Sequence, residues 1–260
     1  MPHIKSNQAH EKGIHAVKVG IVVPVLNYYE GFTNLMLSIK TNLDYKVYVQ
    51  PQYRAQVPLS AAWNNGIRQA FEDGCSYALV CNDDIMFAPY CIDQMVKVYK
   101  HYAKENVIMV TPNNILGEVG DPFAILNYEY YRDYPDDSPE YSIADHPNFS
   151  CFLITQKYID EVGWFDENFA PAWYEDNDSH RRATLAGYRE ITTTAAPMVH
   201  LGGQTTFRME SPNSGASQAY YIEKWGGIPA SHPLDAQKEH YPTPYNDPNL
   251  TIKDWRGQNA

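Results

Sequence analysis

Four apolar runs, at residues 17–25, 45–49, 77–81 and 107–110, are separated by stretches each long enough for one helix. This alternation narrows the possible folds more than any other feature of the chain. The first run is nearly continuous, broken by Lys18 and Gly20, with Pro24 marking its end. A strand that is apolar on both faces is buried on both, as the strands of parallel sheets are. Between the runs, Phe32, Leu35, Met36, Ile39 and Leu43 form one helical stripe, and Ile92, Met95, Val96 and Tyr99 form another. Residues 60–71 read as a further helix, with Ser60 as N-cap and Gly74 just beyond its end. Strands and helices alternating at this length predict an α/β domain, its mostly parallel central sheet flanked by helices.

The run at 77–81 leads directly into Asn82-Asp83-Asp84. Ligands of open parallel sheets sit at the carboxyl ends of the strands, so Asp83 and Asp84 are expected to point into the functional crevice. Two close carboxylates repel one another unless one keeps its proton or a cation lies between them. A divalent cation is the usual solution, because hard metals take carboxylate oxygens. The competing reading is that one of the two caps the following helix.

The second half is less regular. Residues 113–148 are rich in Asp, Pro, Tyr and Asn and read as long loops or short edge strands, the kind of stretch that often carries specificity. Residues 150–155 form a short strand, and 158–162 a helical turn stopped by Gly163. Residues 176–186 form a helix that is acidic at its start, with Arg181 and Arg182 further along and Gly187 as its stop. Residues 189–194 form a strand leading toward His200. A polar loop and a helix ending in Glu223-Lys224-Trp225-Gly226-Gly227 follow. The organisation expected is a loose tail at 1–16, a nucleotide-binding half at 17–112, an acceptor half of the same domain at 113–203, and a C-terminal helix with an extended tail at 204–260.

Composition excludes some classes of function. A formal net charge of −11 argues against a broad basic surface for nucleic-acid backbone. It leaves room for a phosphate-bearing small molecule, for which a metal supplies local positive charge. No apolar run approaches the roughly 20 residues a membrane span requires, and the start shows no signal peptide. Cys75, Cys81, Cys91 and Cys151 lack metal-site spacing, and the expectation is a reduced, cytoplasmic protein. Tyr is abundant, at 21 residues, and such rings suit sugar faces as well as core edges.

Five separated segments carry a resemblance. They are Val22-Val23-Pro24-Val25-Leu26-Asn27, then Trp63-Asn64-Asn65-Gly66, then Asn82-Asp83-Asp84, then the stretch from Gly163-Trp164-Phe165-Asp166-Glu167 to Trp173-Tyr174-Glu175-Asp176-Asn177-Asp178, and last His200-Leu201-Gly202-Gly203. In this order they resemble the family-2-type glycosyltransferases of the GT-A fold, with rhamnosyltransferase-like motifs, over roughly residues 17–227. Each segment alone is a weak signal, and the order makes it strong.

The resemblance implies transfer of a sugar from a nucleoside diphosphate sugar, of UDP or dTDP type, to a hydroxyl acceptor with inversion. Asn82-Asp83-Asp84 stands where that family has its DXD-type motif, so Asp84 is expected to hold Mn²⁺ or Mg²⁺ together with His200. Asn82 and Asp83 would meet ribose, phosphate or metal-bound water. Pro24 and Asn27 would shape the loop over the nucleotide, with Tyr28 or Tyr29 against the base, and Asn64 and Asn65 either touch the nucleotide or mark an interruption of their helix. Asp176 matches the position of the general base, with Glu175 beside it contacting acceptor or donor sugar. Trp173 and Tyr174 would form a platform for the acceptor sugar. Asp166 is expected to hold a turn before Phe169, and at least one of Arg181 and Arg182 to lie on a solvated helix face.

Two departures bear on the donor. The family's Asp after the second strand is absent from Val49-Gln50-Pro51-Gln52-Tyr53, leaving Gln50, Gln52 or Arg54 to contact the base. Trp63 stands where an Arg is usual. The acceptor stays open among a glycan, which is favoured, a protein side chain, a DNA base and a lipid-linked sugar. Two other readings remain: a non-catalytic nucleotide- or sugar-binding protein on the same fold, and a nucleotidyltransferase. Against the latter, Pro24-Val25-Leu26-Asn27-Tyr28-Tyr29-Glu30 has no Lys or Arg to grip a triphosphate.

Overall fold

The computed structural model describes residues 17–26, 29–51, 57–128, 142–204 and 214–228. The elements run β1 (Lys18–Val25), α1 (Tyr29–Ser38), β2 (Asp44–Pro51), α2 (Leu59–Glu72), β3 (Tyr77–Cys81), β4 (Ile85–Phe87), α3 (Cys91–Tyr102) and β5 (Val107–Asn114). They continue with α4 (Leu116–Val119), β6 (Ile143–Ala144), β7 (Cys151–Ile154), α5 (Gln156–Glu161), α6 (Glu175–Leu185), β8 (Arg189–His200) and α7 (Gly215–Trp225). One eight-stranded sheet, in the order β2-β1-β3-β7-β5-β8-β4 with β6 against β8, joins both halves of the chain.

Strand side chains alternate between two apolar layers, as the period of two requires. Val19, Ile21, Val23, Leu79, Cys81 and Leu153 face a layer that includes Leu35, Met95 and Val98 from α1 and α3. Val22, Ala78, Val80, Phe152 and Ile154 face Trp63, Ile67 and Ala70 of α2 and Tyr158 of α5. The second layer is thin where α2 crosses β1. A Cβ on Gly66 would run into Val22 Cγ1, and a Cβ on Gly20 into Ala70 Cβ. Gly66 is therefore a site of close helix–strand approach and does not interrupt α2, which is unbroken through Asn64-Asn65-Gly66. Trp63, in place of a charged residue, packs edge-on against Phe152 and Phe165 in the same layer.

Four features differ from the sequence reading. Ser60 is not a cap: Pro58 holds that position without a side-chain hydrogen bond, and Ser60 lies buried in the first turn. β5 outruns its apolar stretch at 107–110 and continues through Pro112 to Asn114. The missing N–H is absorbed where the register against β8 shifts, from Pro112 opposite Thr193 to Asn113 opposite Pro197. The sheet is mixed. β1, β2, β3, β5 and β8 run one way, but β7 is antiparallel to both β3 and β5. Its connection from β5 leaves and returns at the same end of the sheet, with Cys151 opposite Cys81, so no helical crossover turns it parallel. The fourth difference is β4, three residues too short to leave a pattern, which pairs Ile85 with His200 antiparallel.

Candidate active site

Topology brings the acidic segments to one end of the sheet. β3 and β8 run in the same direction, so Asn82-Asp83-Asp84 after β3 and His200 at the close of β8 share the carboxyl edge. α2 and α6 each lead back into one of these strands and therefore begin at that edge. The Leu59 amide at the start of α2 donates to Pro171 O at 2.9 Å, tying the two helix starts together.

The β4–β8 pairing sets Asp84 beside His200. The Leu201 amide donates to Asp84 O (3.1 Å), and the His200 amide donates to Asn114 Oδ1 (3.1 Å) at the end of β5. Asp84 Oδ1 lies 3.1 Å from His200 Nε2, with the Asp84 side chain 5% exposed. The approach lacks hydrogen-bond alignment, and Asp84 Oδ1 is buried without a hydrogen bond. A carboxylate oxygen and an imidazole nitrogen held this close with no proton aligned between them fit a shared cation. Among the described residues no three His, Cys, Asp or Glu side chains gather closely enough to hold a metal alone. A cation held by this pair alone would need its remaining positions filled by other groups, such as phosphate oxygens or water. Gly202 and Gly203 turn the chain away at φ +69° and +66°, a left-handed conformation that favours glycine. Asp83 is buried and Asn82 half-buried at the same turn, where the Asn82 amide donates to Ser150 O at 2.9 Å.

The start of α6 is built from unusual backbone. Trp173 and Tyr174 have φ of +74° and +69°, a costly conformation for bulky residues that persists where surrounding structure enforces it. Here α7 enforces it. Ser217 Oγ donates to Ala172 O (2.8 Å), Tyr174 packs on Tyr221 with ring centroids 5.4 Å apart, and Phe169 packs on Tyr220 at 4.8 Å. Beneath the turn, Lys224 Nζ lies 2.7 Å from both Asp166 Oδ2 and Asp178 Oδ1. Asp178 also pairs with Arg182 Nε at 3.0 Å and accepts from Trp225 Nε1 at 2.8 Å. Arg182 donates to the carbonyls of Val162 and Trp164, and Arg181 lies over the Trp225 ring. Both arginines are buried, so neither lies on a solvated face. Asp166 accepts from the Asn168 amide within its own turn.

Glu175, buried, and Asp176, half-buried, lie at the head of α6 above this frame. Burial, with Asp176 alongside, holds the Glu175 carboxyl well above the usual carboxylate range, and its Oε2 is buried without a hydrogen bond. Burial also raises Asp176, opposed by the Asn177 amide, which donates to Asp176 Oδ1 at 2.7 Å. A carboxylate with a raised pKa is a stronger proton acceptor.

Other expected donor contacts fall differently. Asn64 is fully buried; Nδ2 donates to Phe165 O (2.8 Å) and Glu167 Oε1 (3.0 Å), while Oδ1 accepts from the Phe165 amide (3.0 Å). It staples α2 to the loop before α6 and offers no exposed atom to a nucleotide, which corrects its expected role. Asn65 is buried on the same helix, and its Oδ1 accepts from Arg68. Pro24 sits within β1, opposite Gln50, which is itself buried at the carboxyl end of β2. Tyr29 is exposed on α1. Asn27, Tyr28, Gln52 and Arg54 lie outside the described residues, as do the tails at 1–16 and beyond 228. Sequence reading missed the bridging role of Lys224, whose signal was its place in Lys-Trp-Gly-Gly. It also missed the pairing of His180 with Glu190.

Comparison with known proteins agrees with this architecture. Over 76% of its length the chain superposes on 76% of the catalytic domain of Drosophila β1,4-galactosyltransferase 7, solved in complex with xylobiose, at a TM-score of 0.51 and 12% identity. The fold is accordingly a GT-A-type α/β domain, a mixed central sheet flanked by helices. Over an alignment of 176 positions that covers 55% of the chain, the sequence is 23% identical to a galactofuranosyl glycosyltransferase of Leishmania donovani, and the match spans only 41% of that relative's length. No family model matches the chain. Among the described residues no helix is long and apolar enough to cross a membrane.

Proposed function

We propose that the protein is a glycosyltransferase that moves a sugar from a nucleoside diphosphate sugar, of UDP or dTDP type, to a hydroxyl acceptor. The observation that carries the reading is the Asp84–His200 pair, 3.1 Å apart at the carboxyl edge of the sheet with no aligned hydrogen bond. Mn²⁺ or Mg²⁺ held by Asp84 and His200 would supply positive charge to the diphosphate as it leaves. Asp83 and Asn82, on the same turn, face ribose or phosphate. Pro24, next to last in β1, stands at the nucleotide entry. Asp176 takes the proton from the acceptor hydroxyl, whose oxygen attacks the anomeric carbon while the bond to the diphosphate breaks and its electron pair passes to the phosphate oxygen. One displacement of this kind inverts the anomeric centre. Glu175, favouring its protonated form, donates a hydrogen bond to a sugar oxygen. The half-exposed Trp173 and Tyr174 rings favour a glycan as acceptor.

Thermal shift tests the donor half. A ligand that binds the folded state raises the melting temperature by mass action. The native protein should be stabilised by one nucleoside diphosphate only when Mn²⁺ is present. Asp84→Ala and His200→Ala should lose that metal-dependent increment. If both variants respond to metal and nucleotide as the native protein does, the pair is not the metal site.

A further inference from the structure

α6 carries a further titratable group that neither the resemblance nor the comparisons assign. His180 follows Asp176 by four residues on the same helix, so the two side chains are neighbours on its surface, with Cβ atoms roughly 5–6 Å apart. On its other side, His180 Nδ1 lies 2.6 Å from Glu190 Oε2 of β8. Glu190 is buried, and its second oxygen accepts from Tyr158 Oη of α5 at 3.0 Å. Tyr158 Oη is in turn 2.6 Å from Ser179 Oγ. The carboxylate is thus fixed by two elements of the frame, and the imidazole is fixed by the carboxylate. Because a carboxylate oxygen only accepts, Nδ1 carries the hydrogen and the second ring nitrogen is the one that titrates.

From this arrangement we infer that His180, anchored by Glu190, is a positioning residue that keeps the Asp176 carboxylate ionised against its burial. The inference rests on the assignment of Asp176 as the base of the proposed transfer. Burial alone drives a carboxyl toward its protonated form, in which it can take no proton from the acceptor. A cationic imidazole one helical turn away opposes that drift. Glu190 raises His180 above the ordinary histidine range, partly offset by burial, and Asp176 adds to the rise, so the cation persists to higher pH. The His180 side chain is 42% exposed and the Glu190 side chain 1%, so the imidazole also has solvent to exchange protons with. Beside Asp176 stand Glu175 on its own helix, which favours its uncharged form, and Tyr221 on α7, which bears no charge at neutral pH and is hydrogen-bonded to Arg181.

The test reads the proton on Asp176 directly. Carbon-13 NMR of the protein with labelled aspartate side chains follows each carboxyl through a pH titration, with Asp176→Asn assigning the Asp176 resonance. His180→Gln retains a hydrogen-bond donor for Glu190 but cannot become cationic. The Asp176 midpoint is expected to rise in His180→Gln by roughly half to one pH unit. In the native protein, Glu190→Gln should lower the His180 midpoint and raise that of Asp176. The acid limb of any transfer activity should move up by the same amount as the Asp176 midpoint. An Asp176 midpoint unchanged in His180→Gln, with the fold intact, would overturn the inference. Full transfer by Asp176→Asn would instead overturn the base assignment, while the NMR midpoints still measured the coupling.

Discussion

Asp176→Asn should reduce sugar transfer by on the order of a hundredfold or more and leave donor affinity intact. An amide is nearly isosteric with the carboxylate and preserves its acceptor oxygen for the Asn177 amide, 2.7 Å away, so the turn at the head of α6 is kept. It has no basicity with which to take the hydroxyl proton. Donor binding depends on the other side of the crevice, on Asp84, His200 and the turn after β3, so it is spared. The loss should appear in the rate at saturating donor and acceptor, and metal titrations should superpose on those of the native protein. The pH profile adds a sign. Burial raises Asp176, so the base is ionised, and transfer proceeds, only above that raised midpoint; activity should fall as the pH drops through it. Native-like rates in Asp176→Asn would place the base elsewhere.

The largest expected effect on stability comes from Lys224→Met. Methionine fills a similar volume but leaves Asp166 and Asp178, both fully buried, without the ammonium that lies 2.7 Å from each. Breaking a buried pair from one side costs about 3–5 kcal/mol, because the remaining charge is desolvated and uncompensated. Asp178 keeps Arg182 and Trp225, and Asp166 keeps Asn168 and Tyr220, which places the expected cost toward the lower end. In a chain of this size that corresponds to a fall in Tm of on the order of ten degrees. The deficit should depend on pH. Although burial opposes it, Lys224 holds Asp166 below the usual carboxylate range. A group lowered in the folded state stabilises above its unfolded midpoint, about 4, and loses that contribution as the pH falls through its folded midpoint. The gap between native and variant should therefore narrow in acid. Equal melting temperatures at neutral pH would show that Lys224 does not bridge the two carboxylates.

The parts of this architecture that were legible in the sequence are those with a period. β1, β3, α3 and α6 each repeat an apolar or charged spacing for long enough to declare themselves, and the stop of α6 at Gly187 is set by a left-handed φ of +83°. What escaped depends on partners distant in the chain. β4 is three residues long and exists because β8 pairs with it; without it nothing places Asp84 against His200. Asn64 and Asn65 look like ligand-binding amides in one dimension, yet the Phe165 backbone and Arg68 engage them in three. The direction of β7 follows from where a long excursion ends, which no local pattern encodes. Arg181 and Arg182 have the spacing of a solvated face, but Trp225 of α7 lies against Arg181 and the Val162 and Trp164 carbonyls bind Arg182 in the interior. His180 and Glu190 are ten residues apart on different elements, and neither has a motif to announce it. The acidic segments meet because a shared sheet edge collects segments that lie at the ends of strands.

Turnover of nucleotide sugars tests the central claim most directly. The purified protein is incubated with a panel of UDP- and dTDP-sugars and Mn²⁺, with and without glycan acceptors, and release of the nucleoside diphosphate is followed. The account predicts release from a particular sugar nucleotide that requires the divalent cation, rises with a suitable hydroxyl acceptor, and disappears in Asp84→Ala. Metal-dependent nucleotide binding without release from any member of the panel, with or without acceptor, would contradict it and favour a binding protein on the same fold.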